Sequence, residues 1–341
     1  MTTLLATIFV FGLLIFIHEF GHFLLAKRAG IQVHEFSMGF GPRIAGFKRG
    51  ETDYNLRIFP LGGFVRFAGL DTDEEEVPPH KSYKNKTVWQ RMSVIIAGPL
   101  MNFVLAVVLF TIIFLVQGYP SPTTTVGQVL PDRPAFEAGL RAGDEILAVN
   151  HREIGPWDWN KLSKVIKDHP GEAVVLTVKR DGAVRDINVT PDVQNGKGFL
   201  GIVPAFEPRH VGLIKSLYGG AEYTVRLTGM IINYLGQMIF HQAPADVGGP
   251  VRIVSEIGKV AQLGLVPLLH LAAFLSINLG LFNLLPIPAL DGSRLFFLGW
   301  EGITGRPVAP EKENFIHLVG FGLLIVLMVI VTYNDIAELM M

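Results

Sequence analysis

Four apolar runs reach the length of about 20 residues that a helix needs to cross a bilayer. They extend from about Leu4 to Ala26, Val94 to Val116, Leu263 to Leu285 and Phe315 to Thr332. The first follows only Met1-Thr2-Thr3, with no basic residue before it. Its apolar part also exceeds the roughly 7–15 residues of a signal-peptide core, so it is expected to be a retained span.

Between the first two runs the pattern changes to period two. Tyr54-Asn55-Leu56-Arg57-Ile58 and Phe64-Val65-Arg66-Phe67 alternate as half-buried strands do, among glycines suited to turns. Residues 36–68 are therefore expected to form short strands lying against or dipping into the membrane, with a soluble hairpin as the alternative. Backbone at that depth must be covered by protein or line a wet cavity. The acidic run Asp71 to Pro79 reads as a solvated linker. Val211 to Phe240 reads as an amphipathic helix, either on the membrane surface or packed.

The loop between the second and third runs carries strand patterns at Val126 to Leu130, Glu145 to Val149, Ala173 to Lys179 and Val184 to Val189. A helix is predicted from Trp157 to Asp168, and Asp181-Gly182 is a hairpin turn between two strands. Residues Pro134 to Asn150, with Ala138-Gly139-Leu140 followed by Gly143-Asp144 and a strand ending in Asn150, resemble a bacterial PDZ domain. His151 stands where that family commonly has glycine. The resemblance implies an α+β domain over 123–204 that binds chain ends at a sheet edge.

Charge sets the expected orientation. Eleven Lys and Arg residues lie between Lys27 and Arg91; Arg294, Arg306 and Lys312 lie between the third and fourth runs. None precedes the first run or follows the fourth. By the positive-inside rule the first and third loops are cytoplasmic, and both termini lie outside with the PDZ-like loop. Composition agrees with a membrane protein: 50% hydrophobic residues, 17% charged and a mean hydropathy of +0.40. A net charge of −1 gives no basic excess for nucleic acid. The absence of cysteine excludes disulfides, iron–sulfur clusters and thiolate metal sites.

Any metal must then be held by imidazole and carboxylate, and the first run contains such a set. His18-Glu19-Phe20-Gly21-His22 is an H-E-x-x-H motif. On a helix, residues i and i+4 share a face, so both imidazoles reach one ion and Glu19 stands ready to take a proton from a metal-bound water. Charged residues inside a span are costly, which argues for function. A third ligand is needed, and Asp291, just past the third run, is the candidate. The first and third runs cross in the same direction, so their cytoplasmic ends bring His18, His22 and Asp291 to one depth. Two histidines and a carboxylate also describe a non-haem iron site, but the helical spacing with an adjacent base favours zinc hydrolysis.

These marks together resemble the site-2 protease family, bacterial intramembrane zinc metalloproteases. They are His18 to His22, Gly39-Phe40-Gly41-Pro42, Ala97-Gly98-Pro99-Leu100-Met101-Asn102-Phe103, one PDZ-like domain, Gly248-Gly249-Pro250, and Asn283 to Gly292 with its two prolines. The resemblance implies that His18, His22 and Asp291 bind zinc and that Glu19 is the general base. It implies that Asn283 holds substrate backbone and that the β element offers an edge to substrate; Asn102 is a weaker candidate for substrate contact, with an interhelical bond as the alternative. Ser276, Asn278 and Asn283 are expected to mark a water path.

The expected fold is an α-helical polytopic membrane protein with four transmembrane helices, a membrane-associated β element and one α+β PDZ domain in the long extracytoplasmic loop. Residues 1–117 and 211–341 would form the membrane core. The expected activity is cleavage of transmembrane segments of membrane-anchored proteins pre-trimmed by another protease, such as anti-sigma factors or remnant signal peptides. The protein would sit in the bacterial cytoplasmic membrane, in contact with lipid, its active site near the cytoplasmic side. The alternatives are a catalytically silent scaffold that binds peptides through its PDZ domain, which predicts a missing ligand or base, and a repeat-type transporter, which predicts related halves.

Overall fold

The computed structural model describes residues 2–70, 77–240, 242 and 248–340. Helix α1 (Thr2–Arg28) leads into strands β1 (Val33–Arg49) and β2 (Thr52–Phe67), followed by α2 (Val88–Gln117). Then come β3 (Tyr119–Val129), α3 (Pro134–Glu137), β4 (Glu145–Val149), β5 (Arg152–Glu153), α4 (Trp159–Asp168), β6 (Val174–Arg180) and β7 (Ala183–Val189). Strands β8 (Asp192–Gln194), β9 (Lys197–Phe199) and β10 (Ile202–Arg209) precede α5 (Leu213–Ile239) and α6 (Pro250–Leu263). Helices α7 (Leu265–Leu284), α8 (Asp291–Thr304) and α9 (Pro310–Met340) complete the chain. Two units separate: residues 1–113 with 214–341, and residues 114–213.

In the first unit, α1, α2, α7 and residues 311–337 of α9 are long and apolar enough to cross a membrane. Each of these helices is apolar on every side, as expected where lipid rather than water faces the outer surface. The buried positions of α1, including Thr7, Val10, Leu14, His18, Gly21 and His22, recur every three or four residues. That stripe turns the two histidines toward protein. Helix α2 starts six residues before the apolar run, at Val88, because Thr87 and Gln90 form a reciprocal capping box. The third run is interrupted at Gly264, whose φ of +121° is a left-handed conformation that ends α6, so the span begins at Leu265. A further helix not foreseen, α8, starts at Asp291 itself.

The expected short strands are instead two long, bent ones. Glu35, Phe36, Ser37 and Met38 each pair twice, with 63–66 on one side and 53–56 on the other. The bend needs Gly39 and Gly41, both at positive φ. Glu35 is buried and accepts hydrogen bonds from Arg57 and Asn55, which ties β1 to the first half of β2. An apolar cluster of Ala26, Ile31, Val33, Phe67, Val94, Ile95 and Leu298 joins the end of α1 to the sheet, α2 and α8. Of the linker expected over 71–79, residues 71–76 lie outside the described residues, and Pro79 opens a short 3-10 turn.

On α9, Asp335 is buried and accepts the backbone N–H groups of Gly249 and Arg252. Its carboxylate thereby caps the start of α6 from another helix, at the Gly248-Gly249-Pro250 segment.

The second unit is a six-stranded sheet with β10, β3, β4, β6 and β7 adjacent in that order and β5 paired to β4. Val174, Leu176 and Val178 alternate inward from β6, and Leu162 and Ile166 meet them from α4. Asp181 and Gly182 both adopt positive φ, the conformation a two-residue hairpin turn requires. His151 adopts φ +58°, the conformation for which glycine is better suited.

Candidate metal centre

His18 and His22, one turn apart on α1, place their Nε2 atoms 3.2 Å from each other. Oδ2 of Asp291 lies 3.2 Å from both. Asp291 reaches this point because Pro286 and Pro288 hold the chain out of helix after α7, and α8 then begins at once. Ala289 in that segment has a φ of +74°, and its N–H donates to Nδ1 of His317 on α9 at 3.1 Å.

The donor set fits a metal ion. Nδ1 of His22 lies 2.9 Å from the carbonyl oxygen of Val94. A carbonyl only accepts, so Nδ1 carries the proton and Nε2 keeps a lone pair. The Asp291 Oδ2 is buried and has no hydrogen-bond donor. Lone pairs meeting at 3.2 Å repel unless a cation lies among them. Bonds of about 2.0–2.1 Å in a tetrahedral site put ligand atoms about 3.3 Å apart, matching these separations.

Space is made by glycine at two points. A Cβ on Gly21 would meet the Ala97 carbonyl oxygen at 2.4 Å, so α1 and α2 approach closely only with glycine there. A Cβ on Gly98 would lie 2.2 Å from Nε2 of His22, inside the ligand set itself.

Glu19, half-buried and with no hydrogen bond to the described residues, faces the same cavity of about 400 Å³ as the three candidate ligands. Phe64 and Val65 of β2 form one wall, Arg294 and His317 another. In the sequence Arg294 counted only as a loop charge, and His317 was not singled out. Arg294 is three residues past Asp291, on the same face of a helix that the pattern did not reveal, and nothing near His317 marked it.

The other candidates lie elsewhere. Asn283 is half-buried in the last turn of α7, makes no hydrogen bond among the described residues and does not line the cavity. Asn102 is fully buried on α2, with Nδ2 3.2 Å from Nδ1 of His18. Buried Ser276 donates to the Asn102 carbonyl, and Asn278 donates back to Phe274 in its own helix.

The sequence profile of peptidase family M50 matches residues 6–327. The zinc metalloprotease RasP of Geobacillus kaustophilus is 36% identical, with 98% of each chain covered. The regulator of sigma-W protease RasP of Bacillus subtilis is 35% identical, with 99% of each chain covered. The zinc metalloprotease RasP of Bacillus licheniformis is 35% identical over 99% of this chain and 100% of its own. The chain belongs to peptidase family M50, the site-2 protease family that its motifs resemble.

Proposed function

We propose that this membrane-integrated, zinc-dependent protease hydrolyses peptide bonds within transmembrane segments of membrane-anchored proteins. The observation that carries the reading is the meeting of His18, His22 and Asp291 in one cavity with Glu19. These three residues would hold the zinc. When bound, it supplies a Lewis acid that polarises the scissile carbonyl and lets water ionise near neutral pH.

The chain's own groups do the rest. Glu19 takes a proton from the attacking water, whose oxygen bonds to the carbonyl carbon. As the C–N bond breaks, Glu19 returns that proton to the departing amine. A substrate helix hides its amides in its own hydrogen bonds and must be unwound locally, and each freed group costs several kcal/mol in lipid unless re-paired. The edge of the sheet at Phe64 and Val65, and the unbonded amide of Asn283, supply such partners.

Residues 123–204 are read as a PDZ domain, supported by the Ala138-Gly139-Leu140 and Gly143-Asp144 pattern in a six-stranded sheet. The basic loops support an arrangement with this domain and both termini outside the bacterial cytoplasmic membrane and the active site near its inner side. The domain would select substrates already trimmed by another protease. The name of the Bacillus subtilis relative supports a membrane-anchored regulator of transcription, such as an anti-sigma factor, as substrate.

The test is cleavage of a single-span model substrate in detergent by Glu19→Gln protein. The variant should retain zinc and lose cleavage by at least about 10³-fold, the scale expected for removing a general base. Cleavage at the wild-type rate would reject the reading.

A further inference from the structure

The Asn102 side chain is fully buried, yet its Oδ1 has no hydrogen-bond partner. Its other end, Nδ2, lies 3.2 Å from Nδ1 of His18. A buried amide oxygen without a donor costs about 1–3 kcal/mol, so the unpaired atom calls for an explanation.

The tautomer of His18 supplies one. If His18 offers its Nε2 lone pair to a metal, the proton must sit on Nδ1 and needs an acceptor. His22 has such an acceptor in the Val94 carbonyl. The neighbour of His18 Nδ1 is Asn102, and the two ends of an amide have nearly the same shape. Turned end for end, Asn102 brings Oδ1 to Nδ1–H. Its place on α2 is firm, since Ser276 of α7 donates to its backbone carbonyl at 2.8 Å.

We infer that Asn102 is a positioning residue of the metal centre: its Oδ1 accepts the Nδ1–H of His18, fixing the tautomer and ring orientation that present Nε2 to zinc. This rests on the proposed role of His18 as a ligand. It removes Asn102 from the substrate-contact role expected from its motif, because a fully buried amide engaged with a ligand is not offered to a peptide.

The test is zinc affinity of the full-length protein in detergent, measured by competition with a chromogenic chelator and requiring no turnover. Asn102→Leu, which has no acceptor, should bind zinc about 10–100-fold more weakly, the range found when partners behind metal ligands are removed. Asn102→Asp, which is nearly isosteric and only accepts, should bind at least as tightly as wild type. Wild-type affinity in Asn102→Leu would overturn the inference. So would an equal loss in Asn102→Asp, because packing rather than acceptance would then be responsible. His18→Ala serves as the separate arm. If it binds zinc as tightly as wild type, the ligand assignment fails, not merely the role of Asn102.

Discussion

Gly98 lies against His22 so closely that a Cβ placed on it would sit 2.2 Å from the imidazole Nε2. A methyl group there meets the ligand atom, and His22 cannot retreat without abandoning its bond to the Val94 carbonyl. Gly98→Ala should therefore lose most of its zinc and its cleavage activity. Gly12→Ala on α1, where a Cβ would have nothing within 4 Å, should retain both. Metal analysis of the two purified variants checks this, and full zinc occupancy in Gly98→Ala would contradict it.

Asp291 depends on the placement of α8, and α8 is tied to α2 by the ion pair between Glu301 and Arg91. Both side chains are largely buried, at 16% and 15% exposed. Removing one partner of such a pair leaves the other charge unpaired, whereas removing both is milder. Glu301→Ala and Arg91→Ala should each destabilise the protein, and a double-mutant cycle should return a coupling of about 1–3 kcal/mol. Additive losses in thermal unfolding would show that Glu301 and Arg91 are not coupled and that the pair does not tie α8 to α2.

Acid should loosen the 114–213 unit at Asp144. Burial alone would raise its pKa, but hydrogen bonds from Arg180 and the Arg141 N–H outweigh burial and hold it below the usual carboxylate value. A depressed carboxylate contributes stability in full above the unfolded value of about 3.9. That contribution declines as pH falls below this value and is lost once pH passes the folded pKa. Unfolding of the isolated unit, which has its own apolar core, should show stability falling below about pH 4, less steeply in Asp144→Asn. Identical acid profiles would contradict the role of Asp144. Asp144→Ala should cost about 2–3 kcal/mol at neutral pH.

Deleting residues 123–204 should change which membrane-anchored substrates are cut while leaving cleavage of a short single-span substrate within about threefold. A folded, zinc-loaded deletion protein inactive on the short substrate would reject a purely selective role for this domain.

Much of the centre was legible because His18 and His22 lie one turn apart on one helix, where spacing alone fixes a shared face, with Glu19 next to the first. Asp291, 269 residues beyond His22, was reachable from its place just past the third run and from the proline-containing motif it closes, and the charge asymmetry of the loops put the two helix ends at one depth. Arg294 and His317 were not legible. Their approach to the cavity depends on α8 and on how α9 packs, and hydropathy marks where lipid begins rather than how helices turn. The same limit hid the first six residues of α2, whose Thr87–Gln90 cap is polar. In the sheet, alternation marked Tyr54 to Ile58 and Phe64 to Phe67 as strands, but not that both flank Glu35 to Met38. That pairing depends on the bends at Gly39 and Gly41. Asn102 was visible as a polar residue in a span, but its partner could be named only once α1 and α2 were side by side.

The proposed activity depends on one ion gripped by two imidazoles of α1 and a carboxylate from the start of α8. The most direct measurement is zinc content per chain of purified wild type beside Asp291→Ala, after dialysis against a mild chelator. About one zinc per wild-type chain and little or none in the variant are expected. Equal zinc in the two would contradict it.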